Sequence, residues 1–157
     1  MDVAKIQIEA IKNHFKESDT YSIKYFINDQ TVYFAVDNSM IVLFSRSDLV
    51  LQPKEGSKDF DNKDYASFKP CKNVVDNVLK LDSEPAEITQ DIRKVKSVGD
   101  CVWIVSKNHK TLVSLKKLKL FGALDDLRAE ISSETNPIVI KTSDNMLLGV
   151  VCPVRQQ

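Results

Sequence analysis

The sequence predicts an α+β protein: two helices packed on antiparallel sheet, arranged as two similar halves that each pair a helix with a meander of strands. Three observations predict it. Apolar residues recur at helical spacing in two separated stretches, 4–15 and 115–128. Between and after them, apolar residues alternate or are densely β-branched and aromatic, as strands require. Short polar turns divide those strand-like runs. At 157 residues the chain is long enough to bury a core without staples, and it reads as one domain: a first half over 1–52, a connecting segment over 53–100 and a second half over 101–157.

The first helix rests on Ala4, Ile8, Ile11 and Phe15, whose spacing places them on one face, with Lys5, Glu9, Lys12 and Lys16 on the complementary face. Tyr21, Ile23, Tyr25 and Ile27 then alternate as a strand that ends in the turn Asn28-Asp29-Gln30. Val32, Phe34 and Val36 alternate in a second strand, ended by Asp37-Asn38, and 40–44 forms a third. The polar stretch 54–69, with Phe60, Tyr65 and Phe68 spaced through it, reads as a long loop or a sheet extension. Residues 73–81 fit either a strand or a short helix, and Glu84-Pro85 interrupts them, because the residue before a proline avoids the helical region. Residues 88–98 offer another strand candidate, with Ile88, Ile92 and Val95 too widely spaced to decide its type; the turn Gly99-Asp100, a strand over 101–105, a turn at Asn108-His109-Lys110 and a return over 111–114 follow. In the second helix, 115–128, Leu120, Leu124 and Leu127 share a face and Ser114 supplies the N-cap. Strand signals at Ile131, 136–140 and 146–154 close the chain, the last two joined at Ser143-Asp144-Asn145.

The N-terminus lacks a basic region followed by an apolar one, so no secretory signal is expected. The longest apolar run, 146–154, is far short of the ~20 residues a membrane span needs. Cys71, Cys101 and Cys152 form no CxxC pair; Cys101 and Cys152 sit in apolar runs and read as small core residues, which favours a reducing, cytoplasmic setting.

No catalytic constellation is visible, and no enzymatic activity, cofactor or metal is expected. His14 and His109 have no spaced partner that would make a metal site. In the acidic run 59–64, Lys63 stands where calcium needs an oxygen and the required glycine is missing. Four glycines build no phosphate-cradling loop. Ser114 and Lys117 match a serine–lysine spacing, but the motifs that accompany it in acyl-transfer enzymes are absent.

Charge is the most informative feature. The 22 basic and 22 acidic residues cancel, which argues against a uniformly basic nucleic-acid binder. Resolved along the chain the balance breaks: 93–119 holds eight cations against Asp100 alone, while 76–91 holds Asp76, Asp82, Glu84, Glu87 and Asp91 against Lys80 alone. Outward lysines on two helices would present a surface for phosphates that does not read sequence.

The C-terminal segment adds a resemblance. A helix over 115–128 leads to Asn136-Pro137-Ile138-Val139-Ile140-Lys141, the acidic turn Asp144-Asn145 and a terminal strand closing on Pro153-Val154-Arg155. This resembles the last half-domain of DNA sliding clamps, such as the bacterial DNA polymerase III beta subunit, over about 45 residues. Asp64-Tyr65 with Phe68 and Pro70 is weakly similar to the family's stretch between half-domains.

The resemblance implies a clamp-like fold and a processivity function, in which helices approach duplex DNA without reading bases. Lys5, Lys12, Lys16, Lys116 and Lys119 would then face the DNA backbone, and Pro153, Val154 and Arg155 would dock a polymerase or another replication protein. Cys152 stands where the family tends to have methionine. A bacterial ring takes six such domains and this chain supplies one, so a ring would need a homo-oligomer or another protein. A phage or mobile-element origin fits a lone domain. The alternative is a protein-interaction module that keeps the clamp fold without binding DNA.

Overall fold

The computed structural model describes residues 1–16, 23–50 and 68–155, with only the backbone described at 14–16. It is α+β: among the described residues, three α-helices accompany nine strands in antiparallel pairs. The chain divides into two compact units, 2–75 and 76–157. The helices and strands are α1 (Val3–Lys16), β1 (Lys24–Asn28), β2 (Thr31–Asp37), β3 (Met40–Ser45), α2 (Pro70–Leu79), β4 (Glu84–Val95), β5 (Gly99–Ser106), β6 (Lys110–Ser114), α3 (Leu115–Phe121), β7 (Leu127–Ile131), β8 (Ile138–Thr142) and β9 (Leu147–Val151). Most of the stretch 54–69, including the acidic run 59–64 and the rings of Phe60 and Tyr65, lies outside the described residues, as does Tyr21. What is described of 53–100 forms α2, β4 and the start of β5.

In the first unit, β1, β2 and β3 form an antiparallel meander. Asp29 closes the first hairpin with φ 56°, a left-handed conformation that a short polar residue tolerates. The second turn is held by Asp37, whose Oδ1 accepts from the Ser39 amide and hydroxyl at 2.8 and 2.9 Å. Val32, Phe34 and Val36 are buried, as their alternation predicts, and Phe34 lies between the rings of Tyr25 and Phe44 at 6.0 and 5.6 Å.

α1 packs on β2, but the first half of the expected stripe faces outward. Among the described side chains of α1, Ile6, Gln7 and Ala10 are buried and Ile11 is half-buried, whereas Ala4 is exposed and Ile8 is half exposed; the side chain of Phe15 lies outside the described residues. The reason is polar. Gln7 Nε2 donates to the carbonyls of Val3 and Asp48, its Oε1 accepts from the Val50 amide at 2.8 Å, and Asn13 donates to the carbonyl of Val36. Two amide side chains that satisfy backbone groups of this unit fix the helix's rotation, overriding a purely apolar periodicity.

Residues 70–79, partly within the stretch that fitted strand or helix, are helical as α2. Pro70 opens the helix, where its missing amide hydrogen costs nothing. Cys71, Val75 and Val78 are buried at spacings of four and three.

In the second unit the strand order is β9-β8-β7-β4-β5-β6. α3 packs against β5 and β6 at one end of that order and β9 at the other, burying Leu118, Leu120 and Phe121. One helix reaches both ends only if the sheet curls around it. The chain after β9 completes the curl: the Val154 amide donates to the Leu112 carbonyl of β6 at 2.7 Å.

The second helix is shorter than the spacing predicts. It ends at Phe121 because Gly122 takes φ 147°, ψ −170°, a conformation that terminates helical hydrogen bonding and that side chains other than glycine's resist. Leu124 then begins a 3-10 turn, Leu124–Asp126, and Leu127 and Arg128 belong to β7. Ser114 does cap α3, its hydroxyl accepting from the Lys117 amide.

Candidate functional site: the cationic end of the second unit

The second unit places its cations by register. Arg93 of β4 pairs with Cys101 of β5, which pairs with Ser114 of β6, the N-cap of α3. The three residues form one row across the sheet, so Arg93 and the start of α3 stand about 10 Å apart along the backbone. Lys94 and Lys96 follow Arg93 directly, and Lys116, Lys117 and Lys119 follow Ser114. Six cations therefore gather at one end of the β4-β5-β6 meander, with Asp100, opposite Lys94, as the acid of the β4–β5 turn. Arg93, Lys94, Lys96, Lys116 and Lys119 are exposed, and Lys117 is half-buried.

The opposite end of the meander has a different chemistry. Glu84 accepts from the Ser106 hydroxyl, the Asn108 amide at 2.8 Å and the Asn108 side chain at 2.8 Å. The Ser106 hydroxyl in turn receives the His109 amide at 3.0 Å. These bonds, led by the one from Ser106, hold the Glu84 carboxyl below its ordinary value. A serine, a histidine and a glutamate meet here, but the hydrogen bonds of His109 to Ser106 are made by its backbone. The network locks the β5–β6 turn and sets up no nucleophile.

Ser114 is similarly committed as an N-cap and is buried. Burial raises the thiols of Cys71, to about 11, and of Cys101. Cys152 is only partly buried, so it is less of a core residue than its apolar run suggests. Among the described residues, no three His, Cys, Asp or Glu side chains form a group able to hold a metal ion, and no helix is long and apolar enough to cross a membrane.

The residues singled out by the resemblance fall in both units. Lys5 is exposed in the first turn of α1, its amide bonded to Asp2 Oδ1 at 3.0 Å. Lys12 is largely exposed and lies 3.7 Å from Glu9 Oε1. The side chain of Lys16 lies outside the described residues. Lys116 and Lys119 belong to the cationic end of the second unit. Pro153 and Val154 are half-buried beside β6, and Arg155 is exposed.

Sequence reasoning counted Arg93, Lys94 and Lys96 within the basic stretch but gave them no site. The signal was the local charge excess; what it lacked was the pairing of β4 with β5 and β6, which joins the two ends of that stretch. No protein-family model, no curated protein and no solved structure matches this chain.

Proposed function

We propose that this protein is a non-enzymatic module that associates with duplex DNA through its phosphates, without reading sequence, and that the second unit makes the contact. One observation carries the reading: six cations, from 93–96 and 116–119, lie at one end of the β4-β5-β6 meander, five of them exposed. Phosphate contacts made by lysine and arginine position a protein on DNA but carry no base information. Such a surface suits the clamp-like role that the sequence resemblance implies.

The test is binding of a fluorescent duplex followed against salt. Each phosphate neutralised contributes a slope of about −0.9 in log K against log salt. Replacing Lys116 and Lys119 with glutamine should flatten the slope by about 2. Absence of duplex binding by the wild-type protein at low salt would sink the reading.

A second reading, docking of a replication protein at the C-terminal segment, draws on the half-buried Pro153 and Val154 beside β6. Val154→Asp would abolish capture by that partner, and unchanged partner affinity would remove this site from consideration.

A further inference from the structure

The cationic end has a tip with its own geometry. β7 pairs with β4 only from Glu84 to Ala86, and β6 pairs with β5 only as far as Cys101. Beyond the row of Arg93, Cys101 and Ser114, only β4 and β5 continue. They run as a two-stranded ribbon through the pairs Lys94–Asp100 and Val95–Gly99 to the turn 96–98. Two residue pairs and a turn extend roughly 7–10 Å.

Among the described residues, the tip is exposed at Lys94 and at every position from Lys96 to Asp100. A side-chain carbon built at Gly99 would meet nothing within 4 Å, and Gly99 takes φ 96°. Its chemistry is mixed. Lys94 and Lys96 are exposed beside Val98, which is 41% exposed, and Ile92 just behind is 57% exposed. Charge also changes along β4: residues 84–91 carry Glu84, Glu87 and Asp91, and the last three residues carry Arg93 and Lys94.

We propose that the 94–100 tip enters the major groove of duplex DNA while Arg93, Lys116 and Lys119 rest on the flanking phosphates. This rests on the reading of the second unit as a phosphate-binding surface, and it adds which element enters which groove. The dimensions select the groove. The major groove is about 12 Å wide and 8.5 Å deep and admits a two-stranded ribbon; the minor groove, about 6 Å wide, does not. Val98 then approaches the groove floor as a single small apolar side chain, with no hydrogen-bonding group that would select a base. Asp100, inside the tip, meets the same repulsion and is offset by Lys94 opposite it and by Lys96, while Glu87 and Asp91 limit how far the meander can advance, because phosphates repel them.

The experiment compares a plain duplex with one whose cytosines are glucosylated 5-hydroxymethylcytosine, which fills the major groove. Binding is measured at low salt for the wild-type protein, for Lys94→Gln/Lys96→Gln/Val98→Ser and for Lys116→Gln/Lys119→Gln. The expected result is at least a tenfold loss of wild-type affinity on the glucosylated duplex, with little difference between the two duplexes for the tip variant. Netropsin, which fills the minor groove, should leave wild-type binding unchanged. Equal wild-type affinity for both duplexes, with weaker binding of both by the Lys116/Lys119 variant, would overturn groove entry and leave phosphate binding standing. Displacement by netropsin would also overturn it. Wild-type binding to neither duplex would overturn the phosphate reading itself. Circular dichroism of each variant confirms folding, and all five positions, in the end of β4, the turn and α3, are exposed.

Discussion

Gly122 holds the second unit's helix to seven residues through a backbone conformation, not through lack of room. A side-chain carbon there would lie 3.8 Å from Leu127 Cδ2, an ordinary contact, but φ 147° with ψ −170° belongs to a region used almost only by glycine. Gly122→Ala should therefore cost about 1–3 kcal/mol. Urea unfolding read from Trp103, the protein's one tryptophan, measures it, and an unchanged midpoint would contradict the strain argument. Glu84 offers a pH-dependent counterpart. Its carboxyl is held below its ordinary value by Ser106 and the Asn108 amide, so the folded state favours the ionised form. The stabilisation is fully present above the unfolded value, about 4.3, and is lost as pH falls through the lower folded value. Wild type should exceed Glu84→Gln in urea midpoint at pH 7, and the gap should close in acid. A gap that persists unchanged into acid would show that the ionised carboxylate is not the stabilising form. Gln7 acts in the first unit: Gln7→Ala leaves the Val50 amide without its side-chain acceptor, and that amide should lose hydrogen-exchange protection.

At the scale of elements, the first unit's strands were the readable part of the sequence; the helices were less readable, as were β4, which begins at the Glu84-Pro85 expected to interrupt the chain, and β7, whose start was expected to be helical. Alternation of Val32, Phe34 and Val36 maps directly onto burial because a strand has two faces and one period. A helix has a continuous circumference, and α1 shows the consequence. Its apolar stripe was plain in the sequence, yet Gln7 and Asn13 turn a different face inward, through backbone partners 23 to 43 residues away that no local pattern encodes. In the second helix, leucines at helical spacing ran past Gly122 into what folds as a 3-10 turn and β7, so periodicity outlasted the helix. The candidate site divides the same way. Lys116 and Lys119 were legible as exposed helix residues, and the charge excess of 93–119 was legible as a count. That Arg93 shares a row with Ser114 follows from two strand registers, which composition cannot supply. Cysteine chemistry sharpens at this scale too. Cys71 on α2 and Cys101 on β5 are buried with raised thiols, while Cys152 after β9 is partly exposed. A thiol reagent at neutral pH should modify Cys152 first in the native protein and reach the other two only on unfolding. Equal rates for all three would contradict the burial described here.

For the molecule as a whole, a pI near 6.7 and a formal net charge of zero predict weak retention on a polyanionic matrix near pH 7. The distribution of those charges predicts the opposite. Field strength near a surface depends on local density, and within a Debye length of about 8 Å at physiological salt the cationic end of the second unit acts as a cluster rather than as part of a neutral average. The protein should bind heparin at low salt and elute as salt rises. Arg93→Glu/Lys94→Glu/Lys96→Glu should elute markedly earlier. The decisive control changes net charge equally elsewhere in the second unit: Lys80→Glu/Lys107→Glu/Lys110→Glu, all exposed, with Lys107 and Lys110 at the opposite end of the meander. If charge placement governs retention, the control should elute close to wild type despite an identical charge change. If the two triple variants shift together, net charge alone is responsible, and the convergence of 93–96 with 116–119 has no binding consequence. Heparin lacks a groove, so this measurement isolates the electrostatic surface from any entry of the 94–100 tip into a duplex.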